Sequence, residues 1–245
     1  MFMLNQTSWK QAFTAVLPLC LSYLPVGLAC GMLLQKVGFT LFLTGLLSLL
    51  VFSGGAQFLI VSLLAVHASF SSIILMVFFL ELRYALLGSS LSYFFKQENR
   101  GFLAIFSQSM NDENYAVNYL HFSTDVSWTH RKALMVNWLS LLAWTGSTLL
   151  GTLFGSVIAI DTELVHFALT AMFIFMFMMQ LKNRLLLMIG LLSGLLAVLF
   201  VLLLKNTFGL ILATVLASLI GYFVERNFTE AGKKLPAAKE EVPHE

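Results

Sequence analysis

The stretch from Phe13 to Phe95 carries only three charged side chains, Lys36, Glu81 and Arg83. A water-soluble fold cannot cover 83 consecutive residues with so few charges, whereas a lipid bilayer accepts long apolar segments. The whole chain agrees, because 59% of its 245 residues are hydrophobic and 11% are charged. In soluble domains about 45–50% of the residues are apolar and about 25% are charged. We therefore expect an all-α, multi-pass bundle of transmembrane helices whose solvent is the bilayer.

Apolar runs bounded by charges or turn residues predict about seven spans, since a crossing needs roughly 20 apolar residues. Within the predicted transmembrane domain, 13–224, the segment 96–132 is polar. Its first part, 101–110, is apolar enough for an interfacial helix, a re-entrant helix or an eighth crossing. Residues 1–12 form a short leading segment, and the polar tail 225–245 is expected to be disordered. The predicted spans are 13–35, 39–66, 69–95, 133–159, 164–181, 185–204 and 207–224.

The distribution of Lys and Arg predicts the orientation of the chain, because cytoplasmic loops collect these residues. With seven crossings, eleven of them fall on one side, and Lys10 and Lys205 fall on the other. That count places the amino terminus outside and the carboxy terminus in the cytoplasm. If 101–122 also crosses, the count is nine against four and both termini are cytoplasmic. The two alternatives agree on the carboxy terminus.

Two early spans contain residues that interrupt helices. Span one holds Pro18 and Pro25, and span two holds Ser-Gly-Gly at 53–55 near its midpoint. Broken helices in the membrane core free backbone groups, which transporters use to bind substrates. A proline inside an unbroken helix is the alternative for span one. We predict that both spans are broken at mid-membrane and that a substrate binds between the breaks, at Pro25, Gly27, Ser53, Gly54, Gly55 and Gln57, with Arg83 close by.

Glu81 and Arg83 lie near the middle of span three, where an ionisable side chain costs at least ~2.5 kcal/mol. Two positions apart on a helix, they point about 200° away from each other, so they cannot simply neutralise one another. Pairing of both with other helices is one interpretation. The other, which we favour, is that Glu81 carries a coupled proton.

Asp112 and Glu113 form a compact acidic pair between Asn111 and Asn114. By composition, such a cluster is typical of a solvated loop or a helix N-terminus. If this segment re-enters the membrane, both carboxylates become further candidates for proton coupling.

Small residues recur four apart in two later spans, where they stack on one helix face and allow close helix packing. One interpretation is packing within this chain, and the other is docking of a separate membrane subunit. The stripes are Ser147, Gly151 and Gly155 in span four, and Gly209, Ala213, Ala217 and Gly221 in span seven.

Other classes of site have little sequence support. His-Glu-x-x-His and Cys-x-x-Cys spacings do not occur in the sequence, so no metal or cofactor is expected. The sequence has no basic stripe with interleaved aromatic residues, so it gives no indication of nucleic-acid binding. An intramembrane protease would need a Gly-x-Ser motif, two mid-span aspartates or a paired Glu-Glu, whereas Gly88-Ser89 lacks the spacing and Glu81 is single.

A set of short motifs is distributed along the chain from about residue 12 to about residue 200. They are Leu17-Pro18, Tyr23-x-Pro25-Val26-Gly27, Phe-Ser-Gly-Gly-Ala-Gln-Phe at 52–58, Leu82-Arg83-Tyr84 followed by Gly88, Asp112-Glu113 and Trp144-x-Gly146. Together they resemble the AzlC-like branched-chain amino-acid permease family. The chain departs from the family at Glu81 and Tyr84, where Asn and His are usual, and at Met110-Asn111, where Leu-Thr is usual.

The resemblance implies a bacterial inner-membrane exporter of apolar amino acids such as valine, leucine and isoleucine. It also implies a small AzlD-type partner subunit and the proton gradient as energy source. A non-transporting scaffold subunit is the main alternative, and an intramembrane enzyme is a further one.

Overall fold

The computed structural model describes residues 6–157, 184–204 and 208–234, together with single positions between 158 and 183. The regular structure of these residues is entirely helical, which confirms the all-α membrane bundle. Predicted span 164–181 lies largely outside the described residues. The chain divides into two units, Met1–Ala171 and Met172–Glu245, and each is described by itself.

The helices of the first unit follow the chain in the order α1 to α7, and those of the second are α8 and α9. Among the described residues, four helices are long and apolar enough to cross a membrane, namely α1, α4 with its extension, α7 and α8. The bounds are α1 Gln6–Lys36, α2 Leu41–Leu50, α3 Gly54–Ala65, α4 Phe70–Leu91 with a 3-10 extension Ser92–Phe95, α5 Arg100–Gln108, α6 Asp112–Thr124, α7 His130–Val157, α8 Arg184–Leu204 and α9 Phe208–Lys234.

Side-chain caps explain where helices α2 to α6 begin. The residue before each helix accepts a hydrogen bond from the amide three positions later, which satisfies one free donor and contributes about 1 kcal/mol. The capping residues are Thr40, Ser53, Ser69, Asn99 and Asn111, before α2 to α6 respectively.

The expected break in span one is wrong. Helix α1 continues from Gln6 to Lys36 with Pro18 and Pro25 inside it. Each proline removes one amide donor, yet α1 stays continuous. Both prolines lie on its exposed surface, and a different face of α1 packs on α7. A methyl group on Gly27 would overlap the Ser147 hydroxyl, so the two helices are in close contact beside Pro25.

The break in span two is confirmed, but the segment does not cross the bundle. Helices α2 and α3 are separated at 51–53 and fold back on each other as the first hairpin, Leu41–Ala65. Phe39, before α2, packs in the same cluster as Leu63 and Leu64 at the end of α3. At 1.5 Å per residue the two helices are about 15 and 18 Å long, which is half of the ~30 Å hydrocarbon core. The predicted crossing 39–66 is therefore a re-entrant hairpin.

The polar segment contains a second hairpin, Arg100–Thr124, formed by α5 and α6. Phe95, at the end of the α4 extension, contacts both Phe102 near the start of α5 and Phe122 near the end of α6. His130, at the start of α7, binds back to the α4 extension, with Nε2 2.9 Å from the Phe94 carbonyl oxygen. The segment thus leaves and returns at one end of the bundle. A hairpin that leaves and returns at one end favours an interfacial or re-entrant helix at 101–110 over an eighth crossing.

The two hairpins enter from opposite ends. Helices α1 and α7 are parallel, since Leu28 and Met32 of α1 face Gly151 and Gly155 of α7 in the same order. We call the end where both helices begin end A and the other end B. The first hairpin starts at end B, after α1. The α4 extension packs with the start of α1 in one cluster, so α4 runs from B to A and the second hairpin starts at end A.

Both small-residue stripes are covered by helices of the same unit. A methyl group on Gly151 would overlap the Leu28 carbonyl oxygen of α1, and one on Gly155 would lie 3.0 Å from the Met32 Cα. In the second unit, α8 and α9 form a close antiparallel pair in which Gly209 faces the Phe200 backbone. Ala213, Ala217 and Gly221 are also buried there. The stripes pack this chain internally, and a separate subunit would have to dock on another face.

Candidate functional site

Polar side chains from both hairpins and from α1 and α4 meet where the two hairpin tips come together. Gln108, at the tip of the second hairpin, donates a hydrogen bond to the Leu49 carbonyl oxygen at the tip of the first. We call the surrounding group the central cluster. It consists of Tyr23, Ser53, Glu81, Arg83, Tyr84, Asn111, Asp112 and Glu113.

An ion pair between Arg83 and Asp112 joins α4 to the tip of the second hairpin. Arg83 Nη2 lies 2.9 Å from Asp112 Oδ2, and the two side chains are 32% and 40% exposed. The guanidinium carbon lies 5.2 Å from the centre of the Tyr84 ring, a cation–π geometry. Among the described residues, Arg83 Nε is a buried atom without a hydrogen-bond partner. Arg83 therefore keeps a donor for a further group.

Glu81 faces the tip of the first hairpin. Its carboxylate and the Tyr84 hydroxyl both lie beside Ser53. Within the described part of the chain, Glu81 Oε1 is buried and has no hydrogen-bond partner. An unpaired buried carboxylate oxygen is costly, so this atom is available to a proton or to a cationic group.

Tyr23 of α1 holds the tip of the second hairpin. Its hydroxyl accepts a hydrogen bond from Asn111 Nδ2 at 2.5 Å and donates one to Glu113 Oε2 at 3.2 Å. The ring is 6% exposed and meets Trp144 edge-on, with ring centres 5.3 Å apart. A buried tyrosine with both hydrogen-bonding roles filled fixes the position of Asn111 and Glu113 relative to α1.

The tip of the first hairpin exposes a helix N-terminus to the cluster. Ser53 caps α3 through the Ala56 amide at 3.2 Å. Gly54 follows, and a methyl group there would lie 3.1 Å from the Trp144 ring. Glycine at this position lets Trp144 approach the backbone closely. The first amides of α3 carry partial positive charge, which favours an anion.

Gln57 stabilises the same tip and is fully buried. Its Nε2 donates to the Val51 carbonyl oxygen at 2.8 Å, which also accepts from the Ser53 amide at 2.9 Å. Its Oε1 accepts from Trp144 Nε1 at 3.3 Å and from the Cys30 thiol at 3.5 Å. The side-chain amide is thus occupied by the protein itself.

The tip of the second hairpin is a capped helix N-terminus, as the composition of the acidic cluster predicts. Asn111 and Asn114 form a reciprocal capping box. Asn114 Nδ2 also binds the Ser109 carbonyl oxygen at 2.9 Å and Ser140 Oγ at 3.1 Å. Asp112 and Glu113 occupy the first turn of α6, where the helix dipole favours negative charge.

An apolar groove of about 580 Å³ runs between the first hairpin and α4. Among the residues that the structure describes, Glu81 is the single charged one that borders it, so the groove connects an apolar surface with the central cluster. Its apolar lining consists of Phe39, Leu47, Ile60, Leu64, Phe70, Ile73, Ile74, Val77 and Phe78.

The structure brings most of the predicted site residues together, namely Ser53, Gly54, Gly55, Glu81, Arg83, Asp112 and Glu113. Two residues of span one lie elsewhere. Pro25 is exposed on α1, and Gly27 packs on Ser147.

Sequence reasoning from the residues alone missed Tyr23, Tyr84 and Trp144. An aromatic residue in an apolar span gives no signal that its polar atom is used. All three occur in the motifs that carry the family resemblance, which is the signal that points to them.

Comparisons with known proteins agree with the motifs. A family model described as AzlC protein matches residues 18–158, a range that contains both hairpins. A membrane protein of Archaeoglobus fulgidus is 31% identical over 68% of this chain and 73% of its own length. A membrane protein of Helicobacter pylori is 27% identical over 72% and 77%.

A further relative has a functional name. The branched-chain amino acid transport protein AzlC of Bacillus subtilis is 25% identical over 71% of this chain and 68% of its own length. No solved structure matches the chain. With more than half of its length matched by the family model, the chain belongs to the AzlC family of membrane proteins.

Proposed function

We propose that the protein is a secondary transporter that exports branched-chain amino acids from a bacterial cytoplasm. The observation that carries this proposal is the meeting of two re-entrant hairpin tips around Arg83, Asp112 and Glu81. Half-helix ends inside a membrane bundle are a recurrent way to bind a charged substrate in transporters. The family membership and the name of the Bacillus relative support the same substrate class.

The substrate carboxylate is proposed to bind Arg83 and the amides of Gly54 and Gly55. Arg83 supplies a planar donor set suited to a carboxylate, and its Nε has no partner among the described residues. The branched side chain fills apolar surface, which contributes about 1.5–3 kcal/mol. One methylene changes that by only ~1–3 kcal/mol, so valine, leucine and isoleucine should all be accepted.

The substrate ammonium is proposed to bind the carboxylates rather than backbone carbonyls. The Val51 carbonyl is already bound by Gln57 and the Leu49 carbonyl by Gln108. Glu81 and Asp112 remain as anionic partners, with Glu113 beside them. Gln57 then acts on the substrate indirectly, by fixing the tip.

Competition at these carboxylates would couple transport to protons. A protonated Glu81 or Asp112 cannot hold an ammonium, so the proton and the amino acid exclude one another. Mutual exclusion gives exchange, in which a proton enters as an amino acid leaves. Because the proton enters as the amino acid leaves, the inward proton gradient drives export.

We propose that end A is cytoplasmic. In the described part of the first unit, Lys10, Lys96, Arg100, Arg131 and Lys132 lie toward end A and Lys36 lies at end B, and cytoplasmic ends collect such charges. The amino terminus is then cytoplasmic.

The second unit is oriented by the same rule. The open end of the α8–α9 pair carries Arg184, Arg226, Lys233 and Lys234, and the connection between the helices carries Lys205. The carboxy terminus is then cytoplasmic too.

The deciding experiment is efflux from proteoliposomes loaded with valine, leucine or isoleucine. We expect efflux that rises several-fold when the exterior is acidified, and a further increase when a small AzlD-type subunit is included. Efflux by the small subunit alone would make this chain a scaffold. Peptide cleavage without efflux would make it an enzyme.

A further inference from the structure

We infer that Gln6–Ala65 and Phe70–Thr124 are the two halves of an inverted-topology repeat, and that their hairpin tips are two gates that open in turn. The gating part rests on the proposed transport function. The repeat itself rests on helix bounds, helix directions and contacts.

A constant shift of 58 residues relates the two halves. It moves α3, Gly54–Ala65, onto 112–123, and α6 is Asp112–Thr124. It moves α2, Leu41–Leu50, onto 99–108, and α5 is Arg100–Gln108. The cap Ser53 moves onto the cap Asn111. Each half is therefore one long helix followed by a broken hairpin.

The direction of the chain is reversed between the halves. Helix α1 runs from end A to end B, and its hairpin enters from B. Helix α4 runs from B to A, and its hairpin enters from A. A pseudo-two-fold axis in the membrane plane relates such halves. Leu49 and Gln108, which touch at the tips, are within one residue of equivalent positions, so the axis passes near their contact.

The same inter-half contact occurs twice. Tyr23 of α1 binds Asn111, the cap of the second hairpin, at 2.5 Å. The shift moves Tyr23 onto Glu81 and relates Asn111 to Ser53, and Glu81 lies beside Ser53. Each tip thus lies against the long helix of the other half. We call these contacts the Tyr23 latch and the Glu81 latch.

The latches differ in the route that they close. The first hairpin fills the path to end B and the second hairpin fills the path to end A. Releasing the Glu81 latch opens the central cluster toward B, and releasing the Tyr23 latch opens it toward A. Because the latches share no side chain, one can open while the other stays closed.

Cross-linking of each latch tests the inference. In a chain with Cys20 and Cys30 replaced by serine, Tyr23→Cys with Asn111→Cys locks one tip, and Ser53→Cys with Glu81→Cys locks the other. A bifunctional thiol reagent should lower amino-acid efflux at least tenfold in either pair, and reductive cleavage of the link should restore the fraction lost to cross-linking.

The matched control is Gln35→Cys with Gly155→Cys, because a Cβ on Gly155 lies 3.3 Å from the Gln35 Cβ, within about the reach of a disulfide. This pair joins α1 to α7 and not to a tip. Its cross-link should leave efflux unchanged. Unchanged efflux after quantitative cross-linking of either latch would overturn the gates.

A second measurement needs no transport. A reporter Gly55→Cys is labelled by a membrane-impermeant thiol reagent from each side, in variants that weaken one latch. Tyr23→Phe keeps the ring on Trp144 and should raise labelling from end A. Glu81→Leu should raise labelling from end B. If both variants raise labelling from the same end, the gates are overturned, whether or not efflux is observed. If they raise labelling from opposite ends but branched-chain amino acids are not exported, only the proposed substrate is refuted.

Discussion

Arg83 and Asp112 form a 2.9 Å ion pair that links the middle of α4 to the first turn of α6. The ion pair therefore reports the distance between α4 and the tip of the second hairpin. Because both side chains are about a third exposed, such a pair contributes only about 0–1 kcal/mol to folding. Its value lies in positioning charge at the central cluster.

Arg83→Gln should therefore abolish efflux while changing the free energy of unfolding by less than about 1 kcal/mol. Arg83→Lys should retain a small fraction, because a lysine keeps the charge but loses the planar donor set. Lys10→Gln, an exposed site on α1, is the control. Initial efflux rates and thermal unfolding in detergent check both expectations, and full activity of Arg83→Gln would remove Arg83 from the site.

Glu81→Gln should separate transport from the proton gradient. The amide keeps the shape and can still hydrogen-bond to Ser53, but it cannot release a proton. We expect efflux that no longer responds to external acidification, with residual exchange of amino acid for amino acid. Retention of the full response by Glu81→Gln would assign coupling to Asp112 or Glu113, which Asp112→Asn and Glu113→Gln would then show.

If the first hairpin is re-entrant, the positions just before and just after it should be labelled from the same side of the membrane. Single cysteines at Lys36 and Val66 should react with an impermeant reagent from the periplasmic side. Cysteines at Gln97 and Val126 should react from the cytoplasmic side. If 39–66 crossed the membrane, Lys36 and Val66 would label from opposite sides, and that result would contradict the re-entrant hairpin.

Two glycines of α7 form a matched pair for stability. A methyl group on Gly151 would overlap the Leu28 carbonyl oxygen, whereas one on Gly146 has no atom within 4 Å. Gly151→Ala should cost about 1–3 kcal/mol through overpacking. Gly146→Ala should be neutral or stabilise by up to about 1 kcal/mol, because alanine favours helix. Equal unfolding temperatures of the two variants would count against close packing of α1 on α7.

Gln57→Leu should loosen the tip of the first hairpin. Leucine has a similar volume but leaves Trp144 Nε1 without its partner, and an unsatisfied buried group costs about 1–3 kcal/mol. We expect lower stability together with faster hydrogen exchange at 51–57. Gln97→Leu, at an exposed position, serves as the control.

The sequence predicts the break at Ser53 because a glycine pair has a local signature, and it leaves a solvated loop or a helix N-terminus as the alternatives at Asp112. It does not predict that 39–66 returns to the end it entered. A broken crossing and a re-entrant hairpin have the same length and hydropathy. The deciding observation is that Phe39 and Leu64, 25 positions apart, pack against the same cluster. The prolines misled because α1 stays continuous with both of them on its exposed surface, which their local sequence does not reveal. Tyr23 and Trp144 required the tertiary structure, since each acts through a partner at least 87 residues away.

The packing of α1 on α7 also sets the timing of membrane insertion. The face of α1 that carries Gly27 and Gly31 packs on α7, which the ribosome completes some 120 residues later. At about 5–20 residues per second, α1 therefore spends roughly 6–24 s in the bilayer without its partner. During that interval these small residues face lipid or a membrane chaperone, so the nascent chain is most vulnerable to degradation before α7 emerges.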